Sequence, residues 1–349
     1  MQSRRFSLGS RTRDEVVPRR ALRVAVAGAT GTLGGELLSV LDARRFPLGE
    51  LVPLATQRSA GDAIEFRGEV YDVCADAARL RGVDLAFLCT PAAGSLELAR
   101  RALHESVPCI DLSGCLSSSP EIPLLVADLG PAAEALLQPI LSSPAAPALA
   151  WATVLRPLDR AAGLRRIVAT SVHSVSSGGR LGIESLSSET IALFNQQDPP
   201  EPTVFGQPVA FDCVPALGEV EPGGATSFES ALARDLQRML GAHVGIAATA
   251  LRVPTFSGDG AALTLEFDRP LPPEDARSAL GEAPGVELWE GAAPGPTTRA
   301  TTGRESVLVG RLRADPTSER GLMLWLAADS VRLAASNAVK LAEARLALA

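Results

Sequence analysis

The chain of 349 residues is long enough to bury two cores of domain size, and its composition is that of an ordinary globular protein. Its net charge of −7, without a basic stripe of interleaved aromatics, argues against a nucleic-acid partner, and no apolar stretch has the length of a transmembrane helix. Five scattered cysteines and three distant histidines lack the spacing of a disulfide framework or a zinc site, so we expect no metal and a reducing, cytoplasmic location.

The first 20 residues form a segment of their own. They carry six arginines against Asp14 and Glu15. They contain no apolar run that could serve as the hydrophobic part of a signal peptide. We therefore predict a disordered, mildly basic tail over residues 1–20.

A buried-strand pattern over residues 23–27 runs into a glycine-rich turn and then into an apolar helix from Thr32 to about Leu41. Such a turn lets the backbone approach a pyrophosphate, lets the helix pack closely on the strand and offers free N–H groups to the anion. A second strand over residues 51–55 follows at the distance expected for a dinucleotide-binding unit. The alternative is an ordinary strand-to-helix turn that binds nothing. The predicted cofactor contacts are Gly28, Thr30, Gly31, Thr32, Leu33 and Gly34.

The end of the second strand indicates which dinucleotide would bind. An NAD site usually has Asp or Glu there to hold the ribose hydroxyls, whereas residues 55–61 contain no carboxylate. Arg58 and Ser59 instead suit a 2′-phosphate, because guanidinium and hydroxyl donors match its oxygen atoms. We predict NADP as the cofactor, with a solvated loop arginine as the alternative for Arg58.

The pattern of elements changes half-way along the chain. From residue 22 to about residue 143, strand-like runs alternate with helical patterns, which predicts a Rossmann-like, parallel sheet. Beyond Trp151, longer strands indicate a second, α+β domain with a mixed or antiparallel sheet. These longer strands are predicted over residues 167–172, 247–253, 262–267 and 306–312. The predicted boundaries are 21–145 for the NADP-binding domain, 146–328 for the second domain and 329–349 for a helix that completes the first.

Several short blocks stand in a fixed order along the chain: GATG at 28–31, RSAG at 58–61, IDLS at 110–113, RPL at 156–158, SSGGR at 176–180, LRVP at 251–254, and DSVR at 329–332 continuing to NAV at 337–339. As an ordered set they resemble the aspartate-semialdehyde dehydrogenase family, from about Leu22 to the C-terminus. The resemblance implies a Rossmann domain and a second domain for dimerisation and substrate binding. It also implies reduction of an acyl phosphate to an aldehyde by NADPH, through a thioester on a cysteine.

The position of that cysteine is the main departure from the family. Counting back from the Pro-Leu block places the nucleophile at Ala146, and its neighbours are Ala or Pro in place of polar residues. Residues 116–212 contain no cysteine, so no local shift of register restores a thiol. The remaining cysteines are expected to be small core residues. Those considered are Cys89, Cys109, Cys115 and Cys213.

Only some of the family's substrate-binding residues are present in this chain. The resemblance implies that Arg252 and Glu229 bind substrate. The two phosphate-binding cations of the family correspond to Ser117 and to Ala231 or Ser230, none of which is charged. An acyl phosphate would therefore lack its main electrostatic anchor.

Two further substitutions fall on residues that face the reacting carbon in the family. Asp259 stands in place of the acid/base histidine, and His173 stands in place of a glutamine. A carboxylate cannot serve as the same proton donor near neutral pH without a large upward pKa shift. The two could instead form a His–carboxylate dyad, with Ser143 or Ser171 as a hydroxyl partner. The structural alternative is a partly buried histidine and a turn aspartate.

Together these substitutions favour a pseudoenzyme that keeps the fold, NADP(H) binding and the dimer surface but forms no thioester. It would be a homodimer through its C-terminal domain and could bind a true dehydrogenase paralogue. One alternative is a re-purposed enzyme built on His173 and Asp259. Others are an active semialdehyde dehydrogenase of amino-acid biosynthesis with an unrecognised nucleophile, and a dimerising protein that binds no nucleotide.

Overall fold

The computed structural model describes residues 21–348 and builds them around two large β-sheets. The tail predicted over residues 1–20 lies outside the described residues. The N-terminal sheet has five parallel strands, and the C-terminal sheet has six strands in mixed directions. This architecture confirms the α/β fold class predicted from the sequence.

The first part of the chain alternates strands with helices and adds one short hairpin. Its elements are β1 (Leu22–Ala27), α1 (Thr32–Ala43), β2 (Leu48–Leu54), β3 (Ala63–Phe66), β4 (Glu69–Asp72), β5 (Leu85–Leu88), α2 (Ala92–His104), β6 (Cys109–Asp111), α3 (Ala133–Leu136) and β7 (Ile140–Ser142). The parallel strands lie in the order β2-β1-β5-β6-β7, so the strand order reverses between β1 and β5. In open sheets of this kind, ligands bind at the carboxyl ends of the strands beside such a reversal.

The second part of the chain forms a mixed sheet backed by helices. Its elements are α4 (Ala146–Ala162), β8 (Leu164–His173), α5 (Gly179–Phe194), α6 (Ser227–Leu240), β9 (Gly245–Arg252), β10 (Asp259–Phe267), α7 (Pro273–Gly281), β11 (Val286–Leu288), β12 (Val307–Ala314), β13 (Gly321–Ala328) and α8 (Ser330–Leu346). The strands lie in the order β11-β12-β13-β10-β8-β9. The pairs β8–β9 and β11–β12 are parallel and the others antiparallel, which confirms the predicted mixed sheet.

The sheet of the second part has one covered and one open face. Ile167 and Ala169 of β8 are buried in the core that α4, α6 and α7 form with the sheet. Val168 and Thr170, which alternate with them, are exposed. Because side chains alternate between the faces of a strand, the helices cover one face and leave the other accessible.

Helix α8 returns to the N-terminal domain. Its apolar residues share one core with strands and helices of that domain, and Asn337 fixes its position. The Asn337 amide donates to the Leu125 carbonyl over 3.1 Å and to the Ser143 hydroxyl over 2.8 Å. Its carbonyl oxygen accepts a hydrogen bond of 2.8 Å from the N–H of Ala127. A buried side chain whose polar atoms are all paired orients the helix, since losing a partner would leave buried polar groups unsatisfied.

None of the helices described between residues 21 and 348 is both long and apolar enough to cross a membrane. Within the same residues, no group of three or more His, Cys, Asp or Glu side chains is arranged to hold a metal ion.

Candidate functional site

The glycine-rich turn joins the carboxyl end of β1 to α1. Gly28 has a φ of +81°, and a Cβ there would come within 2.5 Å of the Cys89 carbonyl oxygen at the end of β5. A Cβ on Gly34 would overlap the Gly28 carbonyl oxygen, so only glycine lets α1 approach the turn. These two contacts explain why the sequence has glycine at both positions.

The N-terminus of α1 is open. Its N-cap residue is Gly31, and no side chain caps the helix. Within residues 21–348, the N–H groups of Thr32, Leu33 and Gly34 donate to no other group. Free N–H groups at the positive end of a helix form a binding site for a phosphate or pyrophosphate.

The predicted 2′-phosphate contacts lie on a short turn that follows β2. Residues Gln57–Ser59 form one turn of 3-10 helix, and the Arg58 side chain is exposed. Within the described chain, the Arg58 guanidinium has no hydrogen-bond or ion-pair partner. A solvated guanidinium beside the hydroxyl of Ser59 is free to bind an anion, and it equally fits an ordinary surface arginine.

The segment after β8 of the second domain lies next to the glycine-rich turn. Gly179 has a φ of +61°, and a Cβ on it would lie 3.6 Å from the Thr32 hydroxyl at the start of α1. Gly178 ends the short 3-10 turn that follows β8, and Gly179 is the first residue of α5. The geometry therefore brings the end of β8 next to the predicted cofactor contacts.

Ala146 is the first residue of α4. Its methyl group is half-buried, and no side chain caps the helix, since the N-cap residue is Ala145. The position predicted for the nucleophile thus lies at a helix N-terminus, where a thiolate would be stabilised. An alanine side chain has no nucleophilic atom.

His173 and Asp259 lie together, with a hydrogen bond of 3.2 Å between His173 Nδ1 and Asp259 Oδ2. The Nε2 atom of His173 lies 2.9 Å from the Ser171 hydroxyl oxygen. Of the two proposed hydroxyl partners, Ser171 contacts the histidine, whereas Ser143 bonds to Asn337. Serine, histidine and carboxylate are therefore joined in the order found in catalytic triads.

This network is buried and highly bonded. Ser171 is 1% exposed and His173 is 2% exposed. Asp259 also accepts hydrogen bonds from the N–H and hydroxyl of Ser174 and from the hydroxyl of Ser330. Burial by itself would raise the pKa of Asp259, but the hydrogen bond and charge of His173 and the bonds from Ser330 and Ser174 hold it below its usual value. An ionised carboxylate can only accept, so in the neutral imidazole the proton is on Nδ1 and Nε2 accepts from Ser171.

Arg252 ends β9 and points its charge toward the loop that follows β8. Its Nη1 atom donates to the Ser177 hydroxyl over 2.7 Å and to the Ser174 carbonyl over 3.2 Å. Its Cζ atom lies 3.9 Å from the centroid of the Phe205 ring. A cation held in this way at the edge of the buried network is able to bind a ligand carboxylate.

Glu229 is engaged by the backbone. Its Oε2 atom accepts a hydrogen bond of 2.8 Å from the N–H of Thr226, which completes a capping box at the start of α6. Its Oε1 atom accepts from the N–H of Ala250 on β9, also over 2.8 Å. Both oxygen atoms therefore have structural partners, and a role in substrate binding stays a prediction.

Two arginines that sequence reasoning missed contact Ser117. Arg234 donates to the Ser117 hydroxyl over 3.3 Å, and Arg238 donates to the Ser117 carbonyl and, over 2.9 Å, to the carbonyl of Ile122. Both lie on α6, four residues apart, and therefore share a helix face. Their spacing was the available signal, but only the fold brings α6 to the Ser117 loop.

Three native cysteines have thiols that burial makes less acidic. Burial raises the pKa of Cys109 to about 12, and burial also raises the pKa values of Cys89 and Cys115. The expectation that Cys213 lies in the core is wrong, because Cys213 is exposed. It lies in a surface segment that ends where Val214 pairs with Arg252 at the edge of the second sheet.

Comparison with known proteins identifies the family of this chain. Residues 23–136 match the family model described as semialdehyde dehydrogenase, NAD binding domain, and residues 155–333 match the semialdehyde dehydrogenase dimerisation domain. The chain belongs to the aspartate-semialdehyde dehydrogenase family. It is 32% identical over 329 residues to the aspartate-semialdehyde dehydrogenase of Aquifex aeolicus, covering 92% of this chain and 97% of that protein.

Two further relatives of this family member cover the same range. The USG-1 protein homolog of Azotobacter vinelandii is 34% identical over 93% of this chain and 97% of its own length. The crystal structure of Vibrio cholerae aspartate semialdehyde dehydrogenase II complexed with ASA has a TM-score of 0.87 at 32% identity, covering 93% of this chain and 98% of that one. The chain is therefore an aspartate-semialdehyde dehydrogenase-like protein with an NAD(P)-binding domain and a dimerisation domain.

Proposed function

We propose that this family member binds NADP(H) at the glycine-rich turn and a small, semialdehyde-type carboxylate at Arg252, without forming a thioester at position 146. The observation that carries the proposal is the combination of an uncapped α1 N-terminus with Ala146 at the start of α4. The first is a ready anion site, and the second lacks the atom on which a thioester forms.

The preference for NADP(H) over NAD(H) rests on Arg58. No carboxylate follows β2 at the position that would hold the ribose hydroxyls, and the guanidinium is exposed and without an internal partner. A 2′-phosphate would therefore meet a cation rather than an anion.

Ala146 argues against thioester chemistry, whereas the similarity to known dehydrogenases argues for activity. Likeness over the full length to proteins named aspartate-semialdehyde dehydrogenase supports a chain that still acts on a semialdehyde more than it supports a chain without activity. A re-purposed site is the second candidate function, and the hydrogen-bond chain Ser171–His173–Asp259 favours it. Its burial argues against direct access of a substrate to Ser171.

The experiment combines calorimetry with a turnover assay. We expect saturable NADPH binding that weakens about 10-fold in Arg58→Ala, since a charge-assisted hydrogen bond is lost, while NADH binding is unchanged. Absence of NADPH binding would overturn the proposal and favour a dimerising protein whose glycine-rich turn binds no nucleotide. Arg252→Ala should abolish binding of aspartate semialdehyde and leave NADPH binding intact.

Turnover is measured as NADP reduction with aspartate semialdehyde and phosphate, before and after treatment with iodoacetamide. We expect no NADPH to form. Turnover that iodoacetamide abolishes would reveal an unrecognised cysteine nucleophile and overturn the thiol-free proposal. Turnover that survives iodoacetamide and disappears in His173→Ala would establish the re-purposed site.

We further propose that the chain forms a homodimer through the open face of the second sheet. The match to the dimerisation domain and the exposed Val168 and Thr170 on β8 support this arrangement. Light scattering should give twice the chain mass of 36.3 kDa. Val168→Glu should reduce that mass, and Leu103→Glu, on an exposed position of α2, should not. A paralogous dehydrogenase as partner would appear instead as a mixed dimer when the two proteins are combined.

A further inference from the structure

The Arg252 guanidinium is held on two sides. One face lies over the Phe205 ring, with 3.9 Å between Cζ and the ring centroid. One corner, Nη1, is used by Ser177 and Ser174. A cation over an aromatic face is attracted by the electron density of the ring, and together these contacts fix the plane of the guanidinium.

The opposite edge of the guanidinium is open. Within residues 21–348, Arg252 Nε and Nη2 donate to no acceptor, whereas Nη1 has two. The Nε and Nη2 atoms form the edge that binds a carboxylate through two parallel hydrogen bonds. Burial lowers the pKa of Arg252, with the nearby Asp259 charge acting against it, yet an arginine stays charged at neutral pH. The open edge is therefore a half-buried, positively charged pair of N–H donors.

Phe205 lies in a slot lined by two glycines. A Cβ on Gly178 would come within 2.7 Å of the Phe205 ring, and one on Gly182 within 2.9 Å. A side chain at position 178 would press first against the ring, whereas a Cβ on Gly182 would first meet the Val175 carbonyl oxygen. Contact with the Phe205 ring thus accounts for glycine at position 178, and the close Val175 carbonyl accounts for glycine at position 182.

The segment that carries Phe205 is tied to α5 by a buried carboxylate. Glu189 is 1% exposed and accepts hydrogen bonds from the N–H groups of Val209 and Ala210 over 2.7 and 2.9 Å. It also accepts from the Ser185 hydroxyl on the same helix over 2.8 Å. The segment is therefore anchored a few residues after Phe205, which keeps the ring in its slot.

We propose that Phe205 is a positioning residue that presents the Nε–Nη2 edge of Arg252 to the carboxylate of a small ligand. The inference rests on the proposed function for the identity of the ligand. Without the ring the guanidinium gains rotational freedom, so binding the carboxylate requires more ordering of the side chain. Phe205 thereby sets affinity for the carboxylate and has no part in nucleotide binding.

The test compares Phe205→Leu with Phe205→Tyr by calorimetry, using aspartate semialdehyde and its α-methyl ester, with and without saturating NADPH. The leucine variant should bind the free carboxylate roughly 3- to 10-fold more weakly, because the cation–π contact is lost. The tyrosine variant, which keeps the ring face, should bind within about 2-fold of the original protein. NADPH affinity should be the same in all three, and the ester should not respond to either change.

A matched control is Phe194→Leu, which removes an exposed ring from the end of α5. Equal carboxylate affinity in Phe205→Leu and the unmodified protein, or an equal loss in the leucine and tyrosine variants, would overturn the inference. If Arg252→Ala has no effect on carboxylate binding, the proposed ligand site fails as well. If Arg252→Ala weakens carboxylate binding and Phe205→Leu does not, the proposed ligand site is supported and the positioning role of Phe205 is wrong.

Discussion

His173 Nδ1 and Asp259 Oδ2 are hydrogen-bonded across two neighbouring strands of the second sheet, at a distance of 3.2 Å. The carboxylate also holds the N–H of Ser174 at the end of β8 and the hydroxyl of Ser330 at the start of α8. One side chain therefore ties β8, β10 and α8 together beneath the candidate site. Partly removing such a network leaves buried polar groups without partners.

We expect Asp259→Asn to lower the free energy of unfolding by about 1–3 kcal/mol at pH 7, because an amide cannot accept at both positions. The pKa of Asp259 lies below its usual value, so its stabilising effect is fully present above about pH 4 and is lost as the pH falls through the folded-state pKa. Urea unfolding at several pH values measures the difference. If the free energy of unfolding of Asp259→Asn fell further below that of the unmodified protein as the pH dropped below about 4, this reasoning would be contradicted.

The matched control for that substitution is Asp198→Asn. Asp198 is exposed and lies in the proline-rich connection after α5. Its replacement should change the free energy of unfolding by no more than about 0.5 kcal/mol. An effect comparable to that of Asp259→Asn would point to a general charge effect.

Replacing the two adjacent glycines of α1 by alanine should have different effects, harmful to NADPH binding at Gly34 and stabilising at Gly35. In Gly34→Ala the new Cβ would overlap the Gly28 carbonyl oxygen, so the turn must open and NADPH affinity should fall more than about 10-fold. A Cβ on Gly35 meets nothing within 4 Å, and Gly35→Ala should stabilise the protein by about 0.5–1 kcal/mol because alanine favours a helix. Calorimetry with NADPH and thermal unfolding measure both. Equal NADPH affinity in the two variants would contradict the role of Gly34.

Elements defined by local pattern were predictable from the sequence. The helix predicted from Thr32 to about Leu41 spans Thr32–Ala43, and the strand predicted over residues 167–172 lies within Leu164–His173. Both have the spacing of apolar residues that their periodicity requires. Helix α4 was not anticipated, since its N-cap is an alanine and it contains Pro157, a residue that usually ends a helix.

The site was predictable only where its residues are close in sequence or fixed by the family pattern. The contact between His173 and Asp259 was foreseen as one alternative, because the resemblance assigned both to the same place. The approach of Arg234 to Ser117 was not, since it depends on the packing of α6 against a loop of the other domain. The spacing of Arg234 and Arg238 places both on one face of α6, but it does not indicate which loop that face contacts.

Glu229 should act on stability more than on ligand binding. Glu229→Ala removes the acceptors for Thr226 and Ala250, so the free energy of unfolding should fall by about 1–2 kcal/mol. Chemical unfolding measures this loss, and calorimetry at low temperature measures aspartate semialdehyde affinity in the folded variant. Glu184→Gln, at an exposed position of α5, is the control. A large loss of affinity without a loss of stability would restore the substrate-binding role predicted for Glu229.

A thiol introduced at position 146 should be unusually reactive. In Ala146→Cys the new side chain lies at the N-terminus of α4, where the helix dipole stabilises a thiolate. Its alkylation by iodoacetamide should have a pH midpoint below the ordinary thiol pKa of about 8.5. The exposed native Cys213 is the internal reference in the same digest, read by mass spectrometry. A midpoint at or above that of Cys213 would contradict the placement of residue 146 at an accessible helix N-terminus.

Turnover should require more than that thiol. In Ala146→Cys alone, the predicted acid/base position still holds Asp259, whose pKa His173 lowers, and an ionised aspartate cannot donate a proton near neutral pH. With aspartate semialdehyde and phosphate, which releases the acyl group from the thiol, we expect Ala146→Cys/His173→Gln/Asp259→His to reduce NADP roughly 100-fold faster than the single variant, because a positioned acid/base contributes about 10²–10⁴-fold. The double variant His173→Gln/Asp259→His, which lacks the thiol, is the control and should be inactive. Equal rates in the single and triple variants, both folded by circular dichroism, would show that these two positions do not limit the chemistry.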